Sequence, residues 1–365
     1  MIDDVRKNWD KLLLVFVHGF RGSDASFKDF PSRLQTILTN SAKVDVEIEV
    51  YPSYKTAGEL RVAVTNFSNW LCTKISTLQK EILRLNSKAN IMVVLLGHSM
   101  GGIVAAETIL RFAEPQHTNE LLGAKIIGML AYDTPFYSVN HQLVTDQAKS
   151  GVETLNKIGQ FCGVGATALV GKSASRAIEA PKKTTSGFKS WGLLAGAVGA
   201  VAVGAAAYMA RDKISAALGD VYDEFTFIKD LTDIHGCDER VKKLLKVPNI
   251  FFKCFYAMVP VKETTNEKDR PTTFIKMPPE ETLYLFVPVI SSAPNVIKAH
   301  TSMFNPKETE GYYQLGNDSV TLISDMVARF QLSALYTVAD KTGAQKLKSA
   351  LHLRYMSATF VAYTI

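Results

Sequence analysis

The run Ile91-Met92-Val93-Val94-Leu95-Leu96 is wholly apolar and passes directly into Gly97-His98-Ser99-Met100-Gly101-Gly102. A short apolar run of this kind reads as a strand buried on both faces. The stretch that follows, Ile103 to Phe112, reads as a helix. Gly-x-Ser-x-Gly between a buried strand and a helix is the pattern of a nucleophile elbow. The serine there sits on strained backbone that lifts its Oγ above the sheet. Side chains two residues before and after it would collide, so Gly97 and Gly101 stand where the turn needs glycine. The helix presents its N-terminus, the positive end of its dipole, to Ser99. The competing reading is chance: ordinary glycine and serine frequencies give about 0.1 such matches in a chain this long.

The same alternation runs along the chain. Leu12 to Val17 is a second wholly apolar strand, ending at His18-Gly19. Phe30 to Leu38 reads as a helix, Val44 to Tyr51 as a strand, Gly58 to Leu85 as a long amphipathic helix, and Ile126 to Tyr132 as a strand. An irregular region follows. Beyond it come a helical stretch from Val221 to Leu245, strands at Ile250 to Val259 and Thr282 to Ile290, and a helix from Asp318 to Phe330. Strands alternating with helices make parallel βαβ units with right-handed crossovers. The expected class is α/β, a mostly parallel central sheet flanked by helices. Its N-terminal strands are trimmed, since the first starts near residue 12, and it carries a largely helical insertion. The expected organisation is a core of residues 1–139 and 221–333, an insertion at 140–220, and an extension at 334–365.

Composition narrows the class. The 365 residues suffice for a large core, and 47% hydrophobic with 21% charged residues exclude a disordered chain. The net charge of +6 comes without a Lys/Arg block, so no nucleic-acid partner is expected. Cys72, Cys162, Cys237 and Cys254 lack metal-like or paired spacing and read as free thiols of a reducing compartment. Met1 to Lys7 is acidic, then basic, and resembles neither a signal nor a transit peptide. The expected location is intracellular and cytoplasmic, with membrane association open. With no metal cluster or nucleotide loop in the sequence, no cofactor is expected.

Three motifs now fall into a familiar order. His18-Gly19-Phe20 follows the first strand, Gly97 to Gly102 forms the turn, and Ala299-His300 follows the last strand. This order resembles that of an α/β-hydrolase. His18-Gly19-Phe20-Arg21-Gly22-Ser23 with Phe27, and His300-Thr301-Ser302-Met303-Phe304 with Gly311-Tyr312-Tyr313, are similar to the lipase-like serine-esterase branch of eukaryotes. The resemblance covers residues 12–135 and 250–332, and it implies the α/β-hydrolase fold.

Roles follow from chemistry and from that resemblance. Ser99 is the candidate nucleophile and needs a neighbouring base. His98 adjoins it, but neighbours on a sharp turn point apart. His18 reads as packing in the loop after the first strand, His117 as surface, and His352 lies in the extension. The resemblance places the base at His300, with His141 and His235 as alternatives. The acid should lie between serine and histidine in the chain. Asp133, in Ala131-Tyr132-Asp133-Thr134-Pro135, closes a buried strand at the edge where such folds keep their sites. A carboxylate there needs a partner, and a histidine supplies one. The bland reading of Asp133 is a turn residue. The usual position in the family is one strand later, which makes Glu263 the alternative, near Glu267 and Asp269. The oxyanion donors expected from the fold are the backbone N–H groups of Phe20 and Met100.

Trp191 to Ala210 carries no charge and lies between Lys189 and Arg211. Its length matches a membrane span. Gly192, Gly196, Ala200 and Gly204 form a small-residue face. A single crossing would place two strands of one sheet on opposite sides of a bilayer. The segment therefore reads as a lid-like or interfacial helix making peripheral membrane contact, or as a buried helix under a loop. The expected activity is hydrolysis of carboxylic, lipid-like acyl esters through a Ser-His-Asp triad and an acyl-enzyme. A thioesterase or acyl-protein deacylase uses the same triad, and an inactive binding protein on the same fold is the remaining alternative.

Overall fold

In β1, Lys11–Val17, the side chains of Leu12 through Val17 are all fully buried. Leu13, Val15 and Val17 pack into one layer with Phe67, Leu71 and Ile75. Leu12, Leu14 and Phe16 pack into another with Phe30, Leu34 and Leu38. The strand is continuous in its hydrophobicity because both faces are covered, as in parallel sheets between helical layers. The computed structural model describes residues 9–19, 22–52, 60–85, 87–140, 234–260 and 271–341. The chain divides into two units, Met1–Asn140 with Lys229–Ile365, and His141–Ile228. The second unit lies outside the described residues, and with it the expected insertion from residue 141 onward, including Trp191 to Ala210.

Beside β1 lie β2, Asp45–Val50, on one edge and β3, Ile91–His98, on the other. Next come β4, Lys125–Tyr132, and β5, Phe251–Val259. All of these pairs are parallel. β6, Thr272–Thr273, runs antiparallel against Met258 and Val259, and β7, Phe286–Ile290, runs parallel to β5. Helices cover both faces. Helix α1, Phe30–Ser41, contributes to the layer beneath Leu14, and α2, Leu60–Arg84, and α3, Met100–Ala113, to the opposite one. α2 buries Ala63, Val64, Phe67, Leu71, Ile75, Leu78 and Ile82, the spacing of one helical face. Helix α4, Ile234–Lys246, joins the α3 side through Val241 and Leu244, and Arg240 Nε donates to Glu107 Oε1 of α3 at 2.5 Å. After α5, Glu280–Leu283, and α6, Val296–Thr301, the long α7, Tyr312–Lys341, returns to the α1 side.

Parallel register brings the strand ends together. Val17 pairs with Gly97, Gly97 with Ala131, and His98 with Tyr132, so β1, β3 and β4 finish level. β5 continues beyond β4, since Tyr132 pairs with Phe255 and β5 ends at Val259. β7 occupies one edge of that overhang, so β6 takes the edge left open past the end of β4.

Two expectations are corrected. The last strand does not span Thr282 to Ile290: its first part is the helical turn α5, and the strand starts at Phe286. Pro279 precedes this turn, and Glu280 and Glu281 occupy its first positions, where carboxylates favour a helix N-terminus. The helix expected from Asp318 to Phe330 runs from Tyr312 to Lys341, past the expected core end at 333, with Gly316 inside it. Cys72 and Cys254 are free, and the side chains of Cys162 and Cys237 lie outside the described residues. Among the described residues no helix is long and apolar enough to cross a membrane.

Phe67 is fully buried, its ring 5.0 Å from that of Tyr51. Truncating it leaves a cavity between α2 and the sheet. Phe67→Ala is expected to lower unfolding free energy by about 3–5 kcal/mol in urea titration. Leu83→Ala, at a side chain 74% exposed, should change it by about 0.5 kcal/mol or less.

Candidate active site

β3 ends at His98 and α3 begins at Met100, leaving Ser99 alone at the junction with φ 55° and ψ −129°. A non-glycine residue held there stores roughly 1–3 kcal/mol of strain. The surroundings enforce it. Ser99 N–H donates to Tyr132 O at 2.9 Å, and Gly102 N–H closes back on Ser99 O at 3.0 Å. A Cβ on Gly101 would stand 2.0 Å from Val17 O, and one on Gly97 2.4 Å from Gly102 Cα. Glycine is required at both positions because backbone, not side chain, fills the space. Gly19, after β1, is also closely packed: a Cβ there would meet Ser99 Cβ at 2.6 Å. The loop carrying His18-Gly19 therefore lies against the serine.

Asp133 follows directly on β4. It is fully buried, with φ 47°, a left-handed conformation that aspartate tolerates better than most residues. Its N–H donates to Phe255 O at 2.6 Å. Its Oδ1 accepts from Ala257 N–H at 3.1 Å, and its Oδ2 from His300 Nδ1 at 2.7 Å. The two backbone partners come from the last paired residue of β5, Phe255, and from the overhang past β4, Ala257. His300 lies in the last turn of α6, which the Asn295 side chain caps by accepting from Lys298 N–H at 2.9 Å. A bond from Nδ1–H to a carboxylate leaves Nε2 as the free acceptor of a neutral imidazole.

Two rings stack on His300. Phe274, immediately after β6, has its centroid 3.7 Å away with planes 19° apart. His98 lies 4.6 Å away at 27°. His98 Nε2–H also donates to His300 O at 3.1 Å. Burial, and then the neighbouring His300, push the pKa of His98 well below the ordinary histidine value, so His98 stays neutral. Its ring is engaged in holding His300. Phe304 extends the cluster to Phe27 at 5.0 Å and to Tyr132 at 5.3 Å.

The structure thus brings Asp133 and His300 into direct contact and seats His300 against His98, the residue before Ser99. Ser99 Oγ makes no hydrogen bond among the described residues. In unliganded sites the nucleophile–base bond is often long and forms on binding substrate. Met100 is the first helical residue, so its N–H has no acceptor within the helix. Phe20, Glu263, Glu267, Asp269, His141 and His352 lie outside the described residues, as does the side chain of His235. His18 is fully buried, with Nδ1 3.0 Å from Gly19 O and Nε2 3.3 Å from Pro52 O. His117 is bonded to Glu120 at 2.6 Å. Phe274 was missed by sequence reading. The available signal was the short β-rich run Thr272-Thr273-Phe274-Ile275 between Pro271 and Pro278.

Residues 7–184 match the model of a family described as "Putative serine esterase (DUF676)". That stretch of the chain is thus similar to a serine-esterase family. The match covers just under half of the chain and stops before His300. Among curated proteins none matches. Solved structures show distant likenesses. The NocB thioesterase domain is 11% identical with a TM-score of 0.31, over 87% of this chain and 94% of that one. A carboxylesterase of Nitrososphaera gargenis is 13% identical with a TM-score of 0.28, over 86% and 93%. The phospholipase PlaB of Legionella pneumophila is 16% identical with a TM-score of 0.28, over 44% and 32%, so this chain spans under a third of that phospholipase. Scores this low carry nothing about activity.

The neutral state of His98 has a consequence for stability. Below the ordinary value of 6.5, an unfolded chain takes up a proton at His98 that the folded protein refuses, so stability falls as pH drops. His98→Gln keeps a donor for His300 O without the titration. Urea midpoints between about pH 7.5 and about pH 5.5 should fall more steeply for the native protein than for His98→Gln; equal slopes would contradict the assignment.

Proposed function

We propose that the protein hydrolyses carboxylic esters through a covalent acyl-enzyme formed on Ser99. The observation that carries this reading is the buried Asp133–His300 hydrogen bond of 2.7 Å, one residue beyond the strand that pins the Ser99 elbow. In this reading Ser99 Oγ attacks the acyl carbonyl and passes its proton to His300 Nε2. Asp133 fixes the Nδ1–H tautomer and stabilises the imidazolium as it forms. The N–H groups of Met100 and Phe20 receive the developing oxyanion. Collapse expels the alcohol, which takes the proton from His300, and water then repeats the sequence on the acyl-enzyme to release the acid.

His98 and Phe274 act through His300 rather than on substrate. They keep its ring in the plane that lets Nδ1 face Asp133 and leave Nε2 for Ser99. A lipid-like acyl group is the substrate class in this proposal, supported by the lipase-like motifs and by the uncharged stretch 191–210. The same stretch supports peripheral membrane contact.

The test is turnover of p-nitrophenyl butyrate. Ser99→Ala and His300→Ala are each expected to lower kcat by about 10⁴-fold or more and by similar amounts, because such groups act as a unit. Asp133→Asn is expected to cost at least about 10²-fold. Undiminished turnover in Ser99→Ala would overturn the mechanism. A defect in Glu263→Gln without one in Asp133→Asn would move the acid to the alternative.

A further inference from the structure

β5 reads Phe251-Phe252-Lys253-Cys254-Phe255-Tyr256-Ala257-Met258-Val259, with one charge in an apolar strand. Lys253 pairs with Leu130 of β4 and is only 5% exposed. Its Nζ donates to Tyr284 O at 2.8 Å and lies 5.9 Å from the centroid of the Tyr284 ring. Among the described residues it has no carboxylate partner. A buried ammonium satisfied only by a carbonyl and a ring face is costly.

Lys253 lines a cavity of about 470 Å³ between the amino-terminal ends of β4 and β5 and helix α7. Lys125 and Arg329 line it too, and the Arg329 guanidinium lies 5.6 Å from the Phe251 ring centroid. No Asp or Glu among the described residues lines it. Asp325, one turn before Arg329, stands outside the lining. Phe251, Met326 and Phe330 give the cavity an apolar wall. Its volume is in the range that holds small organic ligands.

We propose that this cavity binds an organic carboxylate with an apolar body, its charge met by Lys253 and Arg329 and its chain by the Phe251–Met326–Phe330 wall. The ligand supplies a counter-charge that Lys253 lacks among the described residues. Burial lowers the pKa of Lys253, and a bound carboxylate would raise it again. A bare inorganic anion would leave the apolar wall unused. The cavity lies at the opposite end of β4 from Asp133, roughly 20 Å along the strand. The inference therefore does not rest on the esterase reading.

Calorimetric titration of the full chain carrying Ser99→Ala tests it without interference from turnover. Octanoate is the probe, with octan-1-ol and inorganic phosphate as controls. Octanoate should bind more tightly than either control. Lys253→Met, which keeps the length and removes the charge, should weaken octanoate about tenfold or more and leave octan-1-ol unchanged. Arg329→Gln, at a half-buried position of α7, should weaken octanoate in the same direction and serves if Lys253→Met fails to fold. Octanoate binding that is absent in the parent, matched by phosphate or octan-1-ol, or unaltered in a folded charge variant would overturn the proposal.

Discussion

The carboxylate of Asp133 is fully buried and cannot stand there alone. Its two oxygens are met by Ala257 N–H and His300 Nδ1, and its own N–H by Phe255 O. These bonds tie the end of β4 to the overhang of β5 and to the last turn of α6. One buried group thus joins three segments that are distant in sequence. Removing it would leave a polar cavity at the point where β4, β5 and α6 meet. The position of His300, the proposed base, is set by the same requirement that satisfies the Asp133 carboxylate.

The serine side depends on a different constraint, the close approach of backbone to backbone. Gly101 lies against Val17 O and Gly97 against Gly102, so α3 enters directly over the ends of β1 and β3. The strain at Ser99 is supported by the Tyr132 carbonyl, next to Asp133. Ser99 and Asp133 are therefore held at one strand end. His98 closes the arrangement from the other direction, with its ring on His300 and its Nε2–H on the His300 carbonyl. The aromatic residues of the family-like segments meet behind the site: Phe304 packs on both Phe27 and Phe30 with centroids 5.0 Å apart.

Much of this was legible before the structure. Leu12 to Val17 and Ile91 to Leu96 announced doubly covered strands because a parallel sheet between helices admits no polar face. The glycines around Ser99 announced the elbow because no other residue fits. Asp133 was less clear. Its contact with His300 depends on the register of β5 against β4, which local sequence does not encode. Phe274 reaches His300 only through the two-residue β6, too short to carry periodicity. Thr282 and Leu283 looked like strand because an apolar run does not reveal the helical turn that Pro279, Glu280 and Glu281 start. Lys253 is the converse case, a charge plain in the sequence whose burial only the packing of α7 over the sheet reveals.

The proposed chemistry turns on Ser99 acting as a nucleophile activated by His300. Incubation with a fluorophosphonate, followed by peptide mapping by mass spectrometry, addresses it directly, because the reagent reacts with an activated serine and requires no knowledge of the natural ester. One adduct is expected, on the peptide containing Ser99, together with its loss in folded His300→Ala. An unmodified Ser99 in a protein that still hydrolyses esters, or an adduct that forms as fast without His300, would contradict it.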